Sequence, residues 1–254
     1  MYQVFRRRRR GNDASPAQST EPSDVDDSPA SPTDGTEGVD GADADVEPPG
    51  AEPDLADSPK SERPDGPFDA SEVDLDEART GRVDLGGMLI KGAEGMQLQL
   101  QVDQRTGNAT SVLLGIGDAA VQLVAVAAPR SSGLWGQTRL QIAVDARRRG
   151  GKAEDATGPF GPEVRVVVPV TTPEGKQAVQ PSRVSGIDGP RWLLRATFLG
   201  KATTDAATLQ RLVQIVRSVV VIRGDAPMAP GDVITLQPPP GATVQGQQTP
   251  APAS

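Results

Sequence analysis

Glu154, Asp155 and Glu163 form the one cluster of carboxylates in the part of the chain with enough apolar residues to fold. Paired carboxylates can relay protons or hold a divalent cation. Glu154 and Asp155, however, are adjacent in GGKAEDATG, a glycine-rich, lysine-containing stretch that reads as a loop with solvated charges. Gly115-Ile116-Gly117-Asp118 also offers small residues beside a carboxylate. It has neither the Gly-x-Gly-x-x-Gly spacing nor the Lys-Ser/Thr pair of phosphate loops, so it reads as a tight turn between strands. The 254 residues include no Cys and no His. That removes disulfides, thiolate chemistry, the usual neutral-pH acid–base group and the commonest zinc ligand. No catalytic residue, metal ligand or cofactor is expected.

Binding chemistry has better candidates. Arg6, Arg7, Arg8, Arg9 and Arg10 form an unbroken run that would attract phosphate, whether of nucleic acid or of an anionic membrane. Near a membrane surface each arginine is worth about 1 kcal/mol. The next seventy residues carry 21 acids and 3 bases and compete for the same guanidiniums. A second set lies further on: in APRSSGLWGQTR (128–139), Arg130 precedes Trp135, and Arg191 stands beside Trp192, the other tryptophan. Both indoles fall on the apolar face of their segment, and the two arginines could present guanidinium to an anionic group of a partner at the rim.

These side chains need a scaffold, and its limits follow from composition. Residues 1–80 hold 8 of the 26 Lys+Arg and 21 of the 34 Asp+Glu. The region 11–78 is Asp, Glu, Pro, Ser, Ala and Gly with hardly an aliphatic residue, too polar to offset its ordering entropy. We therefore expect a basic tip at 1–10, an acidic disordered linker at 11–78, one globular domain at 79–236 and a disordered Pro/Gln-rich tail at 237–254. No apolar segment follows the arginines and none spans a membrane, which points to a soluble cytoplasmic protein.

Within the domain, MQLQLQVD alternates Met96, Leu98, Leu100 and Val102 with glutamines, a strand with one wet face. Val121–Ala127 is apolar on both faces and suits a central strand. EVRVVVPV follows, then a turn at Pro173-Glu174-Gly175, then a strand that Pro181 demotes to an edge or breaks. Asp188-Gly189 predicts a hairpin into RWLLRATF, with Trp192, Leu194, Ala196 and Phe198 facing the core. Helical spacing of Trp135, Thr138, Ile142 and Ala146 predicts a helix over Leu134–Arg149, capped by Ser131 or Ser132. A second helix is predicted over Asp205–Ser218, with Thr203 or Thr204 as cap and Ala206, Leu209, Leu212, Val213 and Val216 as its stripe. This order predicts an α+β domain: a single antiparallel sheet packed by two amphipathic helices.

The words GPFD (66–69), RVDLGGMLIKGAEGMQLQLQVD (82–103), AAPRSSGLWGQTR (127–139), GPFGPEVR (158–165), DGPRWLLRATFLGKA (188–202) and VVVIRGDAPMAPGD (219–232) together resemble a family of uncharacterised actinobacterial proteins catalogued as a domain of unknown function. The resemblance implies a cytosolic protein and supplies no catalytic residues. The element order is also similar to the fold shared by the photosystem II extrinsic subunit PsbP and the Ran-binding protein Mog1, which act by binding proteins. The expectation is a non-enzymatic cytoplasmic accessory protein that binds a protein partner. The alternatives are a carboxylate- or metal-dependent hydrolase or nucleotide-handling enzyme, and a protein that contacts nucleic acid or a membrane surface through Arg6–Arg10.

Overall fold

The computed structural model describes residues 3–6, 63–103, 106–172 and 174–239. The remainder of the acidic linker, Arg7–Arg10 and the tail beyond 239 lie outside the described residues. The strongest alternating segments all join one large sheet. Its members are β1 (Gln3–Arg6), β5 (Met96–Val102), β6 (Ala109–Ile116), β7 (Ala119–Ala127), β8 (Lys152–Gly158), β9 (Gly161–Thr171), β10 (Gln177–Asp188) and β11 (Trp192–Gly200). Their spatial order is β1-β5-β6-β7-β11-β10-β9-β8, with β1 parallel to β5 and every other pair antiparallel. Gly117-Asp118 makes the two-residue β6–β7 turn, with Gly117 at φ 55°. The apolar set of β11 behaves as its alternation predicts: Trp192, Leu194, Ala196 and Phe198 are all fully buried.

The expectation of a single sheet is corrected, because a second, four-stranded sheet is present, ordered β2 (Phe68–Asp69), β12 (Val220–Val221), β4 (Met88–Lys91) and β3 (Arg82–Asp84). Strands of two to four residues are too short to show a period of two. In β4 both faces are covered. Met88 and Ile90 join the large core, while Leu89 turns to a smaller cluster with Ala78 and Val220. That outer cluster is closed by Val73 and by Leu75 of α1 (Leu75–Arg79). Residues 63–78, ahead of the boundary expected at 79, thus contribute a strand, a 3-10 turn at Ala70–Glu72 and a helix.

Two longer helices cover the large sheet. α2 (Trp135–Arg148) lies on one face, over β8, β9 and β10, burying Trp135 and Ala146 against Val164, Val166, Val184 and Leu193. α3 (Ala206–Arg217) packs on the other face, with Leu209, Leu212, Val213, Ile215 and Val216 buried. Ala206, placed on the stripe by its spacing, is exposed. Both cap assignments are corrected. Asp205 caps α3 by accepting from the Thr208 N–H at 2.7 Å. At α2 the cap residue is Leu134, which has no side-chain oxygen, and the cap bond comes from the buried Asp188, whose Oδ1 accepts from the Leu134 N–H at 2.7 Å.

Two more corrections concern strands. Pro181 neither breaks β10 nor puts it at an edge. Pairing with β9 runs through Pro181, and pairing with β11 begins only at Ser182, so the missing proline N–H faces no β11 partner. Lys152–Gly158, read as a loop, is the edge strand β8; its alternation is hidden because its residues are mostly charged or small, as suits an edge. A last strap closes the domain: the Ala127 N–H donates to the Asp232 carbonyl, Ile234 to Ala125, Leu236 to Ala109 and Gln237 to Leu85, all within 2.9 Å. Among the described residues no helix is long and apolar enough to cross a membrane.

Candidate functional site

The first residue of β11 is the floor on which the site is built. Trp192 is fully buried, and its ring lies so close over Gly189 that a Cβ there would overlap it. A buried indole keeps its N–H only if an acceptor reaches it; Trp192 Nε1 donates to Asp69 Oδ2 at 2.7 Å, across 123 positions of sequence. Asp69 caps the 3-10 turn and accepts from Ser71, while Glu72 reaches back to the Asp69 N–H. Glu72 in turn takes both Nη atoms of Arg63, at 2.6 and 2.5 Å, and the Arg63 guanidinium lies over Trp192, 5.2 Å from the ring centroid. The four side chains close a ring of contacts that ties the segment Arg63–Glu72 to the sheet.

A second arginine repeats the arrangement. Arg217, at the end of α3, lies over Phe160 at 5.8 Å and donates to Asp65 Oδ2 at 2.5 Å. Its buried Nε has no hydrogen-bond partner. Between the two stacks is an open cleft of about 330 Å³, walled by residues 63–66, by the β8–β9 turn 159–162, and by Ile187 and Arg217. Prolines 64, 159 and 162 stiffen its walls.

Two carboxyls of this ring titrate below their ordinary range. For Asp69, burial pushes upward, but the bonds from Ser71 and Trp192 and the charge of Arg63 outweigh it and the net shift is down. For Glu72 the Arg63 hydrogen bond leads, and the shift is also down. A depressed folded pKa stabilises above the unfolded pKa and loses that stabilisation as pH falls through the folded value. The urea midpoint of the full chain is therefore expected to hold level down to about pH 5 and to fall below about pH 4. Asp69→Asn is expected to flatten that fall; an identical pH profile in the variant removes Asp69 from the linkage.

The residues singled out from sequence distribute as follows. Trp135 is 5% exposed and lies behind the cleft, stacked on Gly186 and donating from Nε1 to the Pro162 carbonyl at 2.7 Å. Arg130 is exposed and Arg191 half-buried; the Ala128 N–H donates to the Arg191 carbonyl at 2.9 Å, which sets their two loops side by side. Neither lines the cleft. Arg6 ends β1, while Arg7, Arg8, Arg9 and Arg10 lie outside the described residues.

The three clustered carboxylates do not converge. Glu154 and Asp155 are neighbours in a strand and face opposite sides. Asp155 pairs with Arg139 at 3.0 Å. Glu163 is fully buried and held by Arg183 at 2.8 Å and by Arg165 at 3.3 Å. Among the described residues no group of three or more acidic side chains is placed to hold a metal ion.

Sequence reasoning passed over Arg63, Asp69, Phe160 and Arg217. A signal for the cleft existed, since Gly-Pro-Phe occurs at 66–68 and again at 158–160, and residues of both copies line it. No curated protein and no solved structure matches the chain. Residues 66–245 match the model of the family described as Protein of unknown function (DUF3710), a span that takes in the second cleft wall, both tryptophans and the three α-helices of the described residues. With most of its length inside that match, the chain belongs to the DUF3710 family.

Proposed function

We propose that the chain is a binding protein rather than an enzyme, and that its cleft takes an extended, acidic segment of a partner protein. The observation that carries this reading is the pair of guanidiniums placed over aromatic rings, Arg63 over Trp192 and Arg217 over Phe160, on either side of one cleft. Arg63 is already held by Glu72, so the donor left for an incoming carboxylate is Arg217, pre-ordered over Phe160 and with its Nε unpartnered, which lowers the cost in side-chain entropy. Proline and glycine walls add contact area that is already fixed. The one acid in the lining, Asp65, is engaged by Arg217, which leaves no free carboxylate in the lining to serve as a base. Arg130 and Arg191, on adjoining loops, extend positive charge beyond the cleft, and Trp135 supports its Pro162 wall from behind. The absence of cysteine suits the reducing cytoplasm in which we place the protein.

The test is retention of hexapeptides from a library mixing Glu, Asp, Pro and aliphatic residues on immobilised full-length protein. Retained peptides are expected to be acidic, to release as salt rises, and to bind about tenfold more weakly to Arg217→Gln and Phe160→Leu. A library from which nothing is retained overturns the binding reading. Equal retention by wild type and both variants removes the cleft as the site.

A further inference from the structure

The opposite face of the large sheet carries a second feature, independent of the cleft. α2 lies mainly over β8, β9 and β10, reaching β11 at Leu193. Beside it the face continues over β11 and β7, and the strand register fixes what lies there. Arg195 pairs with Gly186 and Val124, Thr197 with Val184 and Gln122, and Leu199 with Ser182. These rows floor a groove of about 240 Å³ along the flank of α2. Its apolar lining is Ile142, Val166, Val168, Val184 and Leu199, beside the polar Asp145, Arg149, Gln180 and Ser182.

Arg195 is out of place on such a floor. It is half-buried, yet it makes no hydrogen bond, ion pair or ring contact with any described residue. Burial alone moves its pKa, downward, and no acid offsets the effect. The Gln122 amide Nε2 is turned to Gln101 and Ser111. Asp145 lines the groove from α2, where its Oδ1 accepts from Gln141 Nε2 at 2.9 Å and faces Arg148 at 3.9 Å. With Arg149 the lining carries two cations and one anion, so a single negative charge balances it.

We infer that this groove is a binding site for a small amphiphilic monocarboxylate, its carboxylate held by the Arg195 guanidinium and its apolar body lying against Ile142, Val166, Val184 and Leu199. A planar guanidinium offers two parallel donors, which match a carboxylate in bidentate fashion. A phosphate dianion would exceed the net charge of the lining. At roughly 30 Å³ per water the groove has room for about eight waters, a space on the scale of an eight-carbon acid. A reporter stands at the groove's end: Gly186, the cross-strand partner of Arg195, carries the Trp135 indole.

The experiment titrates the full-length protein with octanoate, octanol, octylammonium and acetate, read by calorimetry and by tryptophan emission. Octanoate is expected to bind saturably with a one-to-one stoichiometry, at least about tenfold tighter than octanol or acetate, and to raise the melting temperature. Arg195→Gln is expected to lose that tenfold preference while melting normally, and Arg195→Lys to keep part of it. A tripeptide ending in Leu-Val, as free acid and as amide, distinguishes a free small acid from a chain terminus. Tighter binding of the tripeptide acid than of octanoate overturns the assignment. So does equal binding of octanoate and octanol, or an unchanged octanoate affinity in Arg195→Gln. None of the substituted residues lines the cleft on the other face, so this outcome and that of the peptide library are read separately.

Discussion

Gly186→Ala is expected to destabilise the domain by about 3 kcal/mol, although alanine is ordinarily preferred to glycine in a strand. Gly186 lies in the middle of the sheet, and the indole of Trp135 rests directly on its Cα, so that an added Cβ would overlap Cγ, Cδ2 and Cε3 of the ring. The ring has no room to retreat. It is 5% exposed, its N–H is fixed on the Pro162 carbonyl, and the preceding residue is pinned by Asp188. Making space means lifting the first turn of α2, which breaks both bonds and opens the apolar layer over Val164 and Val184. Urea unfolding measures the loss, with Gly92→Ala as control, since a Cβ at Gly92 meets nothing within 4 Å. Adding Trp135→Leu to Gly186→Ala is expected to cost much less than the sum of the two single changes, because each relieves the other. Additive costs, or a Gly186→Ala protein as stable as the control, would refute the account of this contact.

The second large effect concerns Glu163. This carboxylate is fully buried, Oε1 accepting from Arg183 Nε at 3.0 Å and from Arg165 Nε at 3.3 Å, with the Ser185 hydroxyl near Oε2. Gly158 faces Oε2 so closely that any side chain there would displace the carboxylate. Such a pair contributes little net stability over an apolar substitute, but removing one partner strands the other charge. Glu163→Ala leaves the Arg183 side chain, 16% exposed, without its acid, at a cost of about 3–5 kcal/mol. Arg183→Gln in the same chain is expected to recover a substantial part of that loss by removing the stranded cation. Thermal and urea unfolding of the single and double variants check this, and a double variant no more stable than Glu163→Ala would show that lost packing, not charge, sets the cost.

What could be read from the sequence was whatever repeats locally. MQLQLQVD carries an unbroken period of two, and Leu209, Leu212, Val213 and Val216 a helical one, so the element and its core face followed from the residues themselves; in RWLLRATF the core set Trp192, Leu194, Ala196 and Phe198 was legible, but the burial of Leu193 under α2 on the opposite face was not. Features set by distant partners were hidden. Lys152–Gly158 is a strand because β9 offers it an edge, and its own charged residues show no apolar alternation. Leu134 begins α2 because Asp188 supplies the cap oxygen from 54 positions away, so the serines nearer in sequence misled. The candidate site was the least legible part. Trp192 and Trp135 were found as core anchors, but the groups that turn one end of the sheet into a cleft come from residues 63–72, 159–162 and 217, three segments that have no pattern in common beyond a repeated tripeptide.

The strap from Asp232 to Gln237 bears on how the protein is made. It supplies partners for the Ala125 and Ala127 backbone where β6 has already ended, and it reaches back to Leu85. The ribosome makes this strap long after β7 has emerged. Until then the nascent chain exposes an apolar strand edge of the kind that recruits other strands. The large core also needs Ile234 and Leu236. Closure of the sheet therefore waits until residues 232–237 have emerged, and β7 must fold for some time without them.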